Sequence, residues 1–382
     1  MHDRAGFDAL EPEWNDLFAC AGRDTHLFQT FNWNWHWANH YLPAGAEPTK
    51  TSLAIVTAHR QGRLIALWPL VLMRSGGLKL VRWMGEPVSQ YGDVLIANVS
   101  DKAAVLRQCW HYIVGRLGAD VVHLRKVRAD AEIAPLIASL GLTEVASARA
   151  PYLDLASAPD FAHYEKRYSQ KARKNRRRLM RRLEEHGSIQ IVRHRGGSEA
   201  RAAALGAIAL KRVWSQSSLR VAPSLADARF AAFFADVAEA RHRSAGCAVT
   251  TMRCNDVIAS IAIDVSCAER RAAHIIVHDP AFQRLSPGTL LLQEWIRAAS
   301  AEGIATFDLL APAYAYKDDW ADAGVAVGDY AGGFTWAGRA YARLYLAVLR
   351  QRLKAALEAL PRLVGRARAV WPLRAPHGHR TP

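Results

Sequence analysis

The stretch Ala272–Trp320, AAHIIVHDPAFQRLSPGTLLLQEWIRAASAEGIATFDLLAPAYAYKDDW, decides how this chain is read. It predicts a strand, a tight turn rich in Gly and Pro, an amphipathic helix, a second strand, and a loop carrying Tyr316 and Lys317. Leu291, Leu292, Trp295, Ile296 and Ala299 recur at helical spacing, with Gln293, Glu294, Arg297 and Glu302 mostly opposite. Gly303 stops this helix, and residues 305–310 read as a short buried strand. The helix opens on Ser286-Pro287-Gly288-Thr289. Pro287 suits a first turn, where its missing N–H costs nothing, and Gly288 lets a ligand approach the main chain. First-turn N–H groups lack partners within the helix and make a ready phosphate site. The same pattern also describes an ordinary αβ unit with a well-formed helix start, and both readings stay open at this point.

At 382 residues the chain is long enough for two domains, and at 51% hydrophobic residues it can bury a core. The longest apolar run, Leu64–Met73, has ten residues, too few to span a bilayer. The polar, acidic start (MHDRAGFDALEPEW) is unlike a signal peptide, so a soluble cytoplasmic protein is expected. Five scattered cysteines form no C-x-x-C pair, and fifteen histidines show no ligand spacing such as H-E-x-x-H. Neither a disulfide framework nor a metal is expected.

The net charge of +15 is local. Residues 166–182 carry ten basic residues and no acid, and residues 337–382 carry ten against one. Those segments hold +10 and +9, which leaves −4 for the rest. Tyr164, Tyr168, Ala172, Leu179 and Leu183 mark the apolar side of a basic helix over 162–186. That helix could be a solvated charged face, or a surface for an anionic acceptor, RNA or an acidic membrane. The tail predicts a helix over 337–360 with Tyr341, Leu344, Leu346, Val348, Leu349, Leu353, Leu357 and Leu360 and arginines between them. Docking on the body is expected for it, with an anionic membrane as the alternative and disorder beyond about Arg374.

Elsewhere Trp33, Trp37 and Tyr41 mark one helix face, and residues 53–58 with 64–73 predict a hairpin. Helices are expected at 103–117, 131–140, 198–216 and 225–245, with strands at 78–84, 121–124, 248–253, 257–266 and 272–277. The picture is of two α/β halves joined by a basic helix.

Several motifs in order resemble one family. Asp279-Pro280-Ala281-Phe282, Ser286 to Thr289, Leu291, Gly303, Phe307-Asp308 and Tyr316-Lys317…Trp320 are similar to the cofactor segment of GNAT acyltransferases, in the branch of CelD and the FemAB-like transferases. Phe28-Gln29…Trp33…Trp37, Leu67-Trp68-Pro69-Leu70, Ser169…Lys171…Arg173-Lys174-Asn175…Arg178 and Leu210-Lys211-Arg212…Trp214 extend the resemblance. The family's Gly-Glu pair before Tyr-Lys is replaced here by Ala311-Pro312-Ala313.

The resemblance implies an α/β (α+β) chain of two tandem GNAT-like domains, with mixed central sheets flanked by helices. The expected limits are residues 1–155, then 156–336 opened by the basic helix 162–186, then a basic tail 337–382. It also implies acetyl-coenzyme A, or another acyl-coenzyme A, as co-substrate, without a metal. Gln283, Arg284, Ser286, Pro287, Gly288 and Thr289 would hold the pyrophosphate, and a backbone N–H within His274–Asp279, with Val277 as candidate, would polarise the thioester carbonyl. His278 or Asp308 is the candidate base, Asp308 being alternatively a satisfied buried carboxylate. Tyr316 could protonate the leaving thiolate, and Lys317 could bind an anionic acceptor. Lys171, Arg173, Lys174, Lys211, Arg212 and Trp214 are candidates for lining the acceptor site. That acceptor is expected to be an anionic small molecule or glycan-linked group, in exopolysaccharide or cell-envelope synthesis. Two rivals remain: aminoacyl transfer from charged tRNA, and a non-catalytic protein whose arginine helix holds RNA or another polyanion, neither favoured over coenzyme A.

Overall fold

The computed structural model describes residues 3–42, 50–217, 223–353 and 355–356. Eleven strands run edge to edge in one mixed sheet. Their order is Thr51–Leu53, Leu70–Ser75, Leu78–Trp83, Val121–Arg128, Ala323–Gly333, Thr143–Asp154, Thr306–Asp308, Arg270–His278, Val257–Cys267, Cys247–Cys254 and Ile189–His194. A small second sheet joins Val56–Arg60, Arg63–Trp68 and Leu95–Ile96.

Alternation along the strands builds a core on each face of the second half. Val249, Ile261 and Ile263 pack under residues of the helices Phe31–Tyr41, Gly197–Ser217 and Ala228–Glu239. Met252 and Ala262 pack on the opposite face under Gln170–Glu184 and Pro287–Ala301, joined there by Ala259 at a β-bulge. Sidedness of this kind follows from the two-residue period of a strand.

Two neighbour pairs in the large sheet are parallel, and both are short. Leu80 and Val81 pair with Val121 and Val122 in the first half. Arg270 to Ala272 pair with Thr306 to Asp308 in the second. Beyond the first pairing, Arg82, Glu86, Arg125 and Asp329 interlock as ion pairs. Beyond the second lies a cleft.

The elements differ from the expected ones at several points. The strand expected at 64–73 breaks at Pro69, whose ring supplies no donor, and its two parts join different sheets. The basic helix 162–186 is three pieces, Phe161–Tyr164, Glu165–Arg167 and Gln170–Glu184, because Ser169 caps a fresh helix by accepting from Ala172 N–H. The helix expected at 225–245 breaks at Asp227, which caps Ala228–Glu239, and stops there. Strands Thr143–Asp154, Ile189–His194 and Ala323–Gly333 were not expected from the sequence. Ala323–Gly333, far along the chain, lies between Val121–Arg128 and Thr143–Asp154 and pairs with both. Of the expected terminal helix, Lys354 and residues 357–360 lie outside the described residues, as does the expected disorder beyond Arg374.

Candidate functional site

The strand Arg270–His278 keeps its partner Val257–Cys267 as far as His278 opposite Ser260. On its other edge the pairing stops at Ala272 opposite Asp308. From Ala273 onward that edge borders a cleft of about 160 Å³, lined by Lys211, His274, Leu292, Pro312, Tyr316 and Lys317 among others. A larger depression of about 210 Å³, lined by Ala134, Ile137, Leu142 and Tyr330, has none of these groups.

Peptide directions along the open edge are fixed by their partners. Val277 O accepts from Ser260 Oγ at 2.7 Å, and Asp279 N–H donates to Ala259 O at 3.0 Å, so both face the paired strand. Ile276 O instead accepts from Lys211 Nζ at 3.3 Å, on the cleft side. Since N–H and C=O of one strand residue point the same way and alternate along the chain, Ile276 and His278 present their amides to the cleft. Val277, the donor expected from sequence, turns its peptide away.

His274 sits at a β-bulge. Ile275 pairs with Ile263 and Ala273 with Asp264, which leaves His274 opposite no residue. Its ring is boxed by Phe28, Trp33 and Phe234, with centroids 6.1, 6.3 and 4.9 Å away. Nε2 lies 2.6 Å from Val88 O. A carbonyl only accepts, so Nε2 carries the proton and Nδ1 is a lone pair, with no hydrogen-bond partner among the described residues. Burial pushes its pKa down to about 4, and the nearby charges of Lys126 and Lys317 act the same way. The ring is therefore neutral near pH 7. Sequence reading missed His274, since a bulge depends on register with another strand.

Lys317 lies in the short helix Ala315–Asp318 and is buried. Its Nζ donates to Leu310 O at 2.7 Å and Pro312 O at 3.0 Å, and burial lowers its pKa to about 8. Tyr316 is exposed and stacks on Tyr314 at 6.3 Å, at the border of the cleft. Lys211 holds its ammonium 4.5 Å from the Trp214 ring centroid.

Asp308 is fully buried. Tyr91 OH donates to both its oxygens at 2.9 and 3.0 Å, and Leu310 N–H reaches Oδ1 at 2.8 Å. Arg128 and Arg270 each reach Oδ2 at 3.2 Å. A carboxylate so engaged has its lone pairs committed and ties the two halves together, which is the structural alternative for this residue. Arg212 also stands apart from the cleft lining: its guanidinium donates to Leu225 O and Asp227 O at 2.5 and 3.3 Å.

Below the cleft, Asp279 caps the turn Pro280–Leu285 by accepting from Ala281 N–H at 2.8 Å. Gln283 and Arg284 are exposed on that turn. The chain then reverses through Ser286, left-handed at φ 52°, and Pro287–Ala301 begins. A Cβ added at Gly288 would meet only His278 Nδ1, at 3.5 Å, so the main chain there is open to a ligand. Half-buried His278 has its pKa lowered, by desolvation first and Lys211 second. Thr289 is exposed at the same helix start.

The helix Gln170–Glu184 packs against both Pro280–Leu285 and Pro287–Ala301. Lys171 and Lys174 are exposed and Arg173 half-buried. Arg176, not singled out from sequence, is buried with its guanidinium 4.7 Å from the Tyr168 centroid and 4.6 Å from that of Trp320. The signal was present: Arg176 completes the apolar spacing of Ala172, Leu179 and Leu183. Among the described residues no His, Cys, Asp and Glu group has the arrangement of a metal site.

Residues 170–318 match the family described as the Acetyltransferase (GNAT) domain. No curated protein matches the chain. The crystal structure of FemX is similar at TM-score 0.59 and 10% identity, over 90% of this chain and 99% of that one. The C-terminal domain of a putative lysylphosphatidylglycerol synthetase from Agrobacterium fabrum gives 0.54 at 11%, over 90% and 96%. A conserved protein of unknown function from Bacteroides thetaiotaomicron gives 0.52 at 11%, over 84% and 96%. The chain thus has the α/β fold seen in FemX, and across residues 170–318 it is similar to the GNAT acetyltransferase domain, a family of acyltransferases.

Proposed function

We propose that this chain moves an acyl group from an acyl-coenzyme A thioester, acetyl-coenzyme A foremost, to an amine or hydroxyl acceptor in the cleft beside Ala273–His278. One observation carries the reading: a strand edge without a strand partner among the described residues, presenting the Ile276 and His278 amides, ends beside a helix start left open at Gly288. The edge can pair with the amide groups of a pantetheine arm, and the helix start with the pyrophosphate. The residues present therefore fit the donor.

In the reaction the acceptor attacks the thioester carbonyl, whose oxygen takes the developing charge and is held by the Ile276 N–H. His274, a cleft residue whose Nδ1 is buried and without a partner among the described residues, accepts the acceptor's proton once the acceptor reaches that atom, with His278 the alternative base nearer the helix start. The C–S bond then breaks, and Tyr316 at the cleft border protonates the leaving thiolate. Lys317 and Lys211 give the cleft a positive wall suited to an anionic acceptor, with Trp214 supporting Lys211. The exposed Lys171 and Lys174, with Arg173, extend positive charge along the neighbouring helix. Those cations favour a second reading, in which the acyl group arrives on a polyanion such as charged tRNA.

Calorimetric titration with acetyl-coenzyme A, on the wild type and on Gly288→Trp, tests the first reading. Saturable one-site binding, lost in a variant of unchanged circular dichroism, is expected. No binding by folded wild type overturns it and favours the polyanion-borne donor.

A further inference from the structure

The last described helix carries an apolar face that stands exposed among the described residues. It starts at Trp336–Ala340, becomes π-helical over Tyr341–Leu349, and continues to residue 353. Its inner side is docked: Ala342 and Leu346 are buried with Val145 and Ala331 of the sheet. Thr335 fixes the start, accepting from Gly338 N–H at 3.1 Å and donating to Asp120 at 2.9 Å. Gly338 lies so close to the Asp120 carbonyl that an added Cβ would stand 1.9 Å from its oxygen. The helix cannot roll to bury its other side without losing these contacts.

On that other side Leu344, Val348, Leu349 and Leu353 are 67, 43, 50 and 52% exposed, with Tyr345 beside them. Steps of four to five residues keep them on one line where the turn is widened to i→i+5 bonding. Trp336 is 82% exposed at the start of the same helix. Arg339, Arg343 and Arg352 are exposed along it, and residues 337–382 hold ten basic residues against the single acid Glu358. Exposed leucines and valines bordered by arginine, with an indole at one end, match the boundary between acyl chains and anionic headgroups. A soluble polyanion would satisfy the arginines but leave the leucines wet.

We propose that the face Trp336–Leu344–Val348–Leu349–Leu353 is a docking surface for an anionic lipid membrane, lying flat in the interface rather than crossing it. Among the described residues no helix is long and apolar enough to span a bilayer. The surface is distinct from the cleft and does not depend on which donor the cleft takes.

Co-sedimentation of the full chain with phosphatidylcholine vesicles, with and without about one-third phosphatidylglycerol, tests this, using Leu344→Glu/Val348→Glu/Leu349→Glu beside the wild type. Expected are binding to the anionic vesicles only, weakening with salt, and a loss of about tenfold or more in the triple variant. Circular dichroism and the melting temperature check that the variant is folded, and Trp336→Ala, alone and away from the core, gives a second, smaller loss. No binding by the wild type to anionic vesicles overturns the proposal. So does undiminished binding by both variants, or loss only on Lys171→Glu/Lys174→Glu, which would move the surface to the other basic helix. A wild-type chain that self-associates while the triple variant is monomeric, with no vesicle binding, would assign the face to a second copy instead.

Discussion

His274 Nε2 and the carbonyl oxygen of Val88 lie 2.6 Å apart, and this contact joins the two halves of the chain at the cleft. It sets the tautomer of the imidazole and leaves Nδ1 as an acceptor. The base role proposed for His274 rests on this tether to a main-chain group and on an Nδ1 that has no partner among the described residues.

His274→Gln keeps a donor for Val88 O while removing the Nδ1 lone pair. A fall in kcat of about 100-fold, with KM for the donor little changed, is expected in a thioester-cleavage assay. An unaltered kcat would return the base role to His278.

Lys317 should show in the pH profile. Its pKa is lowered to about 8, so it is charged below that pH and loses its charge above it. If the charged form holds the acceptor, kcat/KM falls as pH rises through about 8. In Lys317→Arg, which stays charged, that limb should be absent. A profile unchanged by the substitution argues that Lys317 only ties Leu310 and Pro312.

Acid sensitivity follows from the histidines. Burial lowers His274, and likewise His123 inside the strand Val121–Arg128, to about 4, against about 6.5 for an ordinary unfolded histidine. Between those values the unfolded chain binds protons that the folded one does not, so stability should drop as pH falls from about 6.5 toward 4. Denaturant titrations at steps of pH would show a steep slope there, and a shallower one in His274→Gln.

Asp308→Asn separates the two roles weighed for this residue. Removing the charge that faces Arg128 and Arg270 should cost about 3 to 5 kcal/mol in chemical denaturation. Turnover per folded molecule should change far less. A large loss of turnover with stability intact would make Asp308 a participant in the chemistry.

Ser286→Gly tests whether the turn binds through its main chain. At φ 52° serine is strained, and glycine should stabilise the protein by up to about 1 kcal/mol. Affinity for acetyl-coenzyme A should hold, since backbone groups rather than the hydroxyl are assigned the pyrophosphate. Loss of affinity would give the hydroxyl that contact.

Local pattern alone determined much of this protein. The helical spacing of Leu291, Leu292, Trp295, Ile296 and Ala299 lies on Pro287–Ala301 as expected, and Ser286, Pro287 and Gly288 mark its start. Strands around 248–277 lie where their apolar runs place them, because side chains on both faces meet a core. What only the tertiary structure decided has a register or a partner far along the chain. Val277 and Ile276 differ by one residue, and the strand opposite them chose which amide faces the cleft. His274 is positioned by a bulge and by Val88, 186 residues away. Asp308 is held by Tyr91 and Arg128 from the first half, and Ala323–Gly333 pairs back into that half's strands. Periodicity reports which face of an element is buried; it does not report which distant element buries it, and the site is made from those distant meetings.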